Sequence, residues 1–218
     1  MKHSDLNYYK EKGEKITCLT AYDASMAKLI NDCGVDVVLI GDSLGMVIQG
    51  YKNTRSVTMQ DMLYHTEIVA NSCQQALVIA DMPFQSYDSS ELALTNAQNL
   101  VNAGADMVKI EGGQEHEEVF RLLSSNNINV CGHLGLQPQM VTDSSEYKIQ
   151  GKDENSAEII LSDALLLESL DVSSLVLECI PSALAREVSS KLNIPTIGIG
   201  AGKDCDGQVL VCYDMLGI

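Results

Sequence analysis

Residues 37–46 read VVLIGDSLGM, and this stretch indicates the fold of the whole chain. Its first four residues form a short apolar run that ends at Gly41, which is typical of a buried strand in a parallel sheet rather than of an amphipathic helix. Asp42 and Ser43 follow directly. A carboxylate at the carboxyl end of a buried strand adds nothing to a hydrophobic core, and α/β proteins carry their chemistry at this position.

The same arrangement, an apolar run that ends in a carboxylate, occurs three more times along the chain. The runs are 77–80 with Asp81, 107–110 with Glu111, and 175–177 with Glu178. Four further apolar runs complete a set of eight predicted strands, at 16–19, 128–131, 196–199 and 209–212. Helical patterns or loops separate the strands, so the sequence predicts an α/β fold, a (β/α)8 TIM-type barrel that occupies residues 1–218 as a single domain.

Two connections of this predicted barrel are irregular. Only residues 200–208 separate strands seven and eight, fewer than the roughly dozen residues that a crossover helix needs. The sequence ends soon after strand eight, so we expect the usual closing helices of such a barrel to be absent and some apolar surface to be covered by a partner or by further chain. The longest irregular segment, 136–155, has a length that is usually functional or mobile.

Composition excludes several classes of function. The 218 residues carry a formal net charge of −16, which argues against nucleic-acid binding because that requires faces rich in Lys and Arg. No apolar run approaches the roughly 18–20 residues of a membrane span, and the N-terminus has no signal-peptide pattern. The seven cysteines are scattered and include no CxxC pair, which favours reduced thiols in a cytoplasmic protein.

The four strand-end carboxylates are expected to converge at one end of the barrel. A single residue of this kind more often caps a loop, but four in equivalent positions favour a functional site. Carboxylates that meet without matching cations raise one another's pKa values, and a divalent metal ion relieves their repulsion. Hard oxygen ligands suit Mg²⁺, which takes one or two carboxylates together with water and substrate oxygens.

Three other residues are candidates for chemistry. Lys109 interrupts an apolar strand, so its ammonium must find a counter-charge: a substrate oxygen, a carbonyl with which it forms a Schiff base, or simply a neighbouring acid. His133 follows predicted strand five and is a candidate hydrogen-bond donor to a substrate, although such a histidine is about as often structural. Ser43 has no histidine at triad spacing, so a hydrolase nucleophile is not expected there.

A set of short motifs, in chain order and through nearly the whole chain, resembles the ketopantoate hydroxymethyltransferase family. The motifs are TAYD (20–23), GDSLGMV (41–47), SVT (56–58) with MLYHT (62–66), ADMPF (80–84) with SY (86–87), VKIEGG (108–113), GHLGLQPQ (132–139), LVLECIP (175–181) and IPTIGIGAGKDCDGQVLV (194–211). Each motif alone is a weak signal, whereas the complete set is specific.

The resemblance implies a barrel like those of the phosphoenolpyruvate/pyruvate superfamily. It implies transfer of a hydroxymethyl group from 5,10-methylenetetrahydrofolate, as co-substrate, to 3-methyl-2-oxobutanoate in the pantothenate and coenzyme A pathway. It also implies a cytoplasmic homo-oligomer, commonly a decamer, with Mg²⁺ as cofactor. The residues it assigns are Asp42, Asp81 and Glu111 to the metal, Asp42, Ser43, Asp81 and Lys109 to the substrate, and Glu178 to the general base.

The chain departs from the family pattern at 145–147, which read SEY where members usually have a Gly-Gly-Tyr-like turn, so we expect a different loop shape near the barrel mouth. Two alternative functions stay open. One is a Mg²⁺-dependent enolate enzyme of the phosphoenolpyruvate mutase and isocitrate lyase superfamily, which the motifs from 132 to 211 disfavour. The other is an inactive scaffold homologue that lacks the C-terminal helices.

Overall fold

Eight parallel strands close into a barrel, each paired with its neighbours in sequence. The computed structural model describes residues 3–218, with side chains for 6–143 and 145–218. The strands are β1 Ile16–Thr20, β2 Val37–Ile40, β3 Leu77–Asp81, β4 Met107–Glu111, β5 Val130–Gly135, β6 Ser174–Glu178, β7 Thr196–Ile199 and β8 Gly207–Leu210. Their order around the barrel is β1 to β8, and β8 pairs back to β1. The predicted (β/α)8 fold is confirmed.

Helices alternate with these strands, except that a loop alone joins β7 to β8, as predicted. The helices are α1 His3–Lys12, α2 Ala24–Asp32, α3 Leu44–Val47, α4 Met59–Ala70, α5 Ser90–Asn102, α6 Glu117–Ser125, α7 Glu154–Ser169, α8 Ser182–Lys191 and α9 Cys212–Leu216. Sequence signals fix several starts: Thr58 and Asp61 form a reciprocal capping box at α4, and Ser89 caps α5.

Two strand boundaries differ from the sequence predictions. Strand β5 starts two residues later than expected and continues to Gly135, so His133 lies within the strand rather than after it. Its register explains the difference, because His133 pairs with Glu111 and Gly135 pairs with Glu178. Strand β8 starts at Gly207, two residues earlier than expected, where the backbone packs so closely on β1 that a Cβ atom would lie 2.7 Å from the carbonyl oxygen of Ile16.

Two segments outside the strands contain short helices. The loop 45–57 overlaps α3 and includes a 3-10 turn at Thr54–Ser56. After strand eight, where the usual closing helices were expected to be absent, the short helix α9 starts two residues after β8 and is only five residues long. Its position brings Asp214 to the barrel mouth, where it lines the cavity described below.

Helix α1 covers the amino end of the barrel. Leu6 is fully buried among interior barrel residues that include Ile16 and Val37. Lys10 forms an ion pair of 2.8 Å with Asp206, just before β8. The N-terminal segment is thus helical from His3 to Lys12, and Met1 and Lys2 lie outside the described residues. No helix among residues 3–218 has both the length and the apolar character needed to cross a membrane.

Candidate active site

The carboxyl end of the barrel holds a cavity of about 270 Å³. All seven residues singled out from the sequence line it: Asp42, Ser43, Asp81, Lys109, Glu111, His133 and Glu178. The apolar side chains of Leu39, Val176, Ile199 and Val209 also line the cavity. The site therefore combines ionisable side chains with apolar surface, as small-molecule pockets commonly do.

Strand geometry explains how the charged groups meet. Side chains two residues apart on a strand point to the same face, so Lys109 and Glu111 both project from β4 into the barrel. The register places Asp81 beside Lys109 and Glu111 beside His133 on the neighbouring strands. The parallel sheet thus aligns ionisable residues that are far apart in the sequence.

A chain of short contacts crosses the cavity. Asp81 Oδ1 lies 3.0 Å from Lys109 Nζ, Lys109 Nζ lies 3.1 Å from His133 Nδ1, and His133 Nε2 lies 3.2 Å from Glu178 Oε2. Since an ammonium can only donate, His133 Nδ1 accepts, which assigns the proton of a neutral imidazole to Nε2. Asp81 Oδ1 and His133 Nε2 are buried without a hydrogen bond of good geometry. Both atoms are therefore available to a ligand.

Burial and mutual repulsion set the charges in the cavity. Burial, reinforced by Asp81 and Glu111, raises the pKa of Asp42 well above its usual range. Burial also raises the pKa of Glu111, although Lys109 opposes the shift. Burial alone would lower the pKa of Lys109, but the carboxylates of Asp81, Glu111 and Asp42 outweigh it and raise the value, so Lys109 is a cation. Burial and then Lys109 lower the pKa of His133, so its imidazole is neutral at pH 7.

The cavity contains an excess of acid. Its lining includes five carboxyl groups, those of Asp42, Asp81, Glu111, Glu178 and Asp214, and within the described part of the chain Lys109 is the one Lys or Arg among them. No three His, Cys, Asp or Glu side chains within that part form a ready-made metal cage. Two or three oxygen donors, a surplus of negative charge and Asp81 Oδ1, which has an ion-pair partner but no hydrogen bond of good geometry, nevertheless fit a hard divalent cation that keeps positions for water and substrate.

Ser43 and Asp42 are held by neighbouring groups. The hydroxyl of Tyr22 lies 2.8 Å from Ser43 Oγ, in a hydrogen bond that either atom can donate. The backbone N–H of Asp42 donates to Asp81 Oδ2 at 3.0 Å. These contacts hold the turn at 41–43 in place. The sequence indicated this turn, but it indicated no role for Tyr22, which belongs to the TAYD motif.

Gln139 is the most connected side chain of the site. It lies on the 3-10 turn Pro138–Met140 and is buried. Its side-chain Nε2 donates to Asp42 Oδ2 at 2.8 Å and to the carbonyl of Met82 at 2.9 Å. Its backbone N–H donates to Glu111 Oε2 at 3.0 Å. In the sequence, Gln139 is only the last residue of the motif 132–139 and has no predicted function. Nothing in the residues around a polar side chain in a long loop indicates that it is buried.

The long segment 136–155 covers part of the cavity, as Pro138 and Tyr147 both line it. The turn where the sequence departs from the family pattern is a 3-10 turn at Ser144–Glu146, closed by the Glu146 carboxylate on the backbone N–H groups of Thr142 and Asp143. This segment includes both the half-exposed Tyr147 and the buried Gln139.

A model of the ketopantoate hydroxymethyltransferase family matches residues 1–218. The chain belongs to this family. A 3-methyl-2-oxobutanoate hydroxymethyltransferase from Ruthia magnifica subsp. Calyptogena magnifica is 61% identical over 213 residues, which cover 98% of this chain and 82% of the relative. The enzyme of the same name from Methylococcus capsulatus is 52% identical over 215 residues, covering 98% of this chain and 80% of that one. The family assignment inferred from the motifs is confirmed.

Solved structures of lower sequence similarity share the fold. Phosphoenolpyruvate phosphomutase from Streptomyces platensis subsp. rosaceus superposes with a TM-score of 0.75 at 12% identity, covering 100% of this chain and 83% of that one. Phosphonopyruvate hydrolase, in a complex with oxalate and Mg²⁺, superposes with a TM-score of 0.75 at 10% identity and the same coverage. This chain belongs to a family of enzymes, and it shares its barrel fold with these solved structures.

Proposed function

We propose that this chain transfers a hydroxymethyl group from 5,10-methylenetetrahydrofolate to 3-methyl-2-oxobutanoate, giving ketopantoate. The observation that carries the proposal is the acid-rich cavity, which Asp42, Asp81, Glu111 and Glu178 line together with Lys109, the ion-pair partner of Asp81. Family membership restricts the reaction to hydroxymethyl transfer. The apolar part of the cavity, including Val176 and Ile199, suits the branched alkyl group of this substrate.

Mg²⁺ is the cofactor that we propose for this site, with Asp42 and Asp81 as ligands and Glu111 close to the ion. When bound, it would supply positive charge to the keto and carboxylate oxygens of the substrate, which acidifies the neighbouring C3–H bond. Asp42 and Asp81 would also contact the substrate, and the acidic side chains of the cavity would attract the cation. The likeness to phosphonopyruvate hydrolase, whose structure contains oxalate and Mg²⁺, supports this assignment.

Glu178 is the proposed general base. Its side chain is 18% exposed, whereas that of Glu111 is 2% exposed, so Glu178 lies nearer the open part of the cavity than Glu111 does. Its carboxylate takes the C3 proton, and the electrons of the broken C–H bond form the enolate. Water adds to the one-carbon unit, both of its carbon–nitrogen bonds break, and tetrahydrofolate leaves with the two hydrogens of the water. The enolate forms the new C–C bond to this carbon, and the proton held by Glu178 goes to its oxygen, which gives the hydroxyl group.

Lys109, His133 and Ser43 complete the proposed machinery. The ammonium of Lys109 stabilises negative charge as it develops on the substrate oxygen, and its fixed ion pair with Asp81 means that it needs no reorganisation during the reaction. His133 acts as a neutral hydrogen-bond donor from Nε2, which lies beside Glu178 and has no hydrogen bond of good geometry. The hydroxyl of Ser43, oriented by Tyr22, binds the substrate.

Several further statements come from the resemblance and stay predictions. They are the folate co-substrate, the place in pantothenate and coenzyme A synthesis, the cytoplasmic location, and assembly as a homo-oligomer, commonly a decamer. The single domain expected over residues 1–218 stays a prediction as well. The seven free cysteines, four of them buried, agree with a reducing compartment.

The decisive experiment measures deuterium exchange at C3 of 3-methyl-2-oxobutanoate by NMR, with and without Mg²⁺ and without folate. We expect exchange that requires Mg²⁺ and that falls at least about 100-fold in Glu178→Gln, the size typical of a lost general base. Asp214→Asn is the matched control, since this carboxylate lines the cavity but has no proposed role, and we expect it to exchange at nearly the wild-type rate.

Absence of exchange in the folded, metal-loaded wild type would refute the enolisation step and favour the inactive-scaffold alternative. Exchange without hydroxymethyl transfer to the keto acid would instead favour the alternative of a superfamily enolate enzyme, whose fold this chain shares at 10–14% identity.

A further inference from the structure

The side-chain amide of Gln139 donates a hydrogen bond to one of the carboxyl groups proposed to bind the metal, and its backbone N–H donates to another. Nε2 donates to Asp42 Oδ2, and the backbone N–H donates to Glu111 Oε2. Gln139 is 2% exposed, so water does not compete for these bonds. A single residue of the 3-10 turn Pro138–Met140 therefore connects the ends of β2 and β4 across the cavity.

The orientation of this amide is determined by its surroundings. The hydroxyl of Tyr87 donates to Gln139 Oε1 at 2.6 Å, and the second hydrogen of Nε2 goes to the carbonyl of Met82. A flipped amide would place its oxygen against the Met82 carbonyl and the Asp42 carboxylate, so the observed orientation is the one that satisfies every group.

The turn itself is also held in place. Arg55 donates from Nη1 to the Gln139 carbonyl at 2.9 Å, and its guanidinium stacks on Phe84, with the guanidinium carbon 3.7 Å from the ring centroid. The loop 45–57 and the segment 136–155 thus meet at Gln139. The position of the turn does not depend on the amide alone, because the Arg55 bond and the backbone N–H remain when the side chain is changed.

Gln139 also determines which carboxylate oxygens are occupied. Asp42 Oδ2 and Glu111 Oε2 each accept an N–H from this residue, while Asp42 Oδ1 has no hydrogen-bond donor among the side chains described for 6–143 and 145–218. A carboxylate that is held by one oxygen presents the other in a fixed direction. Such supporting hydrogen bonds orient metal ligands and tune their affinity.

We propose that Gln139 is a positioning residue that holds Asp42 and Glu111 in the geometry a divalent cation requires. The inference rests on the proposed metal site and adds a residue that acts on the cation only through its ligands. It predicts that loss of the amide weakens metal binding in the absence of any substrate, by the roughly 10- to 100-fold typical of such supporting groups.

The test measures Mn²⁺ binding by electron paramagnetic resonance and Mg²⁺ by competition, in wild type and in Gln139→Met, without keto acid or folate. Methionine keeps the length of the side chain and removes its donors. We expect the metal dissociation constant of Gln139→Met to rise at least 10-fold. Thermal unfolding of the metal-free proteins verifies that the variant is folded.

Tyr87→Phe is the matched control, because it removes a buried hydrogen bond to the same amide but leaves the bond to Asp42. We expect its dissociation constant to stay within about threefold of wild type. Equal weakening in both variants, or wild-type affinity in Gln139→Met, would overturn the inference. If Gln139→Met does not fold, Gln139→Asn replaces it, since the amide is then withdrawn by one methylene group, and the same 10-fold criterion applies.

The failure of the inference and that of the proposed function are distinguishable. A wild-type protein that binds no Mn²⁺ or Mg²⁺ would refute the metal site itself. Equal metal binding by the wild type and by Gln139→Met would refute only the role of Gln139.

Discussion

Lys109 illustrates how surroundings decide the chemistry of a single side chain. A Schiff-base lysine must be a neutral amine near pH 7, which requires a lowered pKa. The carboxylates around Lys109 raise its pKa instead, despite burial, and Asp81 and His133 occupy its ammonium. Of the three interpretations left open by the sequence, the ion pair is observed, the electrostatic role is the one we propose, and the Schiff base is disfavoured.

Replacement of Lys109 by methionine is therefore expected to impair enolisation without any covalent chemistry being lost. We expect C3 exchange to fall about 100- to 1,000-fold, comparable to removal of one electrostatic donor from an active site. In parallel, borohydride added to wild type with the keto acid should leave Lys109 unmodified in mass spectrometry. A trapped adduct on Lys109 would establish the Schiff-base alternative and contradict the proposed role.

At the residue scale, the sequence predicted the acidic residues of the site better than the residues that hold the site in place by hydrogen bonds. Asp42, Asp81, Glu111 and Glu178 were identifiable because each ends an apolar strand, and strand ends converge in a barrel. Gln139 was not, because its partners lie 28 and 97 residues away in the chain and no periodicity relates them. Tyr22 was missed as a support of Ser43 for the same reason.

Among the elements, the junction of β5 and β6 positions the proposed base. Gly135 ends β5 in a left-handed conformation with φ of +99°, and it pairs with Glu178. A Cβ atom at this position would lie 2.1 Å from the carbonyl oxygen of Glu178. That oxygen accepts the backbone N–H of Leu136 at 2.9 Å, so a shift there would move the end of β6.

Gly135→Ala is accordingly expected to lose activity as well as stability. The matched control is Gly34→Ala, because Gly34 has φ of +76° but no neighbouring atom within 4 Å of the point that an alanine Cβ would occupy. The control should lose only about 1–2 kcal/mol of unfolding free energy, the cost of a left-handed alanine. Gly135→Ala should lose more and should slow C3 exchange at least 10-fold. Denaturant unfolding and NMR exchange measure both effects, and equal exchange rates in the two variants would contradict the positioning of Glu178 by Gly135.

At the same scale, strand boundaries were predictable where apolar runs coincide with pairing, as in β6 and β7. They were missed in β5, because Gly132, His133 and Gly135 resemble loop residues when read locally. Pairing with β4 and β6 keeps them in the strand. Such tertiary pairing overrides local propensity, and a single sequence contains no record of it.

For the whole molecule, the raised carboxyl pKa values relate stability to pH. The folded state holds protons on Asp42 and Glu111 more tightly than the unfolded chain, where carboxyl pKa values are about 4. At these two groups the folded protein therefore binds more protons than the unfolded chain above pH 4, and their contribution to stability falls as pH rises until the pH passes the raised folded values.

We expect the melting temperature of metal-free protein to decrease between pH 5 and pH 8 and to be restored by millimolar Mg²⁺, most strongly at the higher pH. Differential scanning calorimetry at both pH values, with Mg²⁺ or with a chelator, measures this. Asp42→Asn should flatten the metal-free pH dependence, because it removes one of the two cavity carboxyl groups whose pKa values are raised. A metal-free melting temperature that rises across this range would contradict the assigned direction of the shifts.

Helix α1 covers the amino end of the barrel, and this has a kinetic consequence. Leu6 fills the amino end, so reactants and products share the entrance at the carboxyl end. A cavity of about 270 Å³ suits a small keto acid, whereas the folate proposed as co-substrate is larger and would lie across that entrance. We therefore expect the proposed reaction to be ordered, with the keto acid binding first and ketopantoate leaving last, and we expect excess folate to inhibit by covering a site that still holds product.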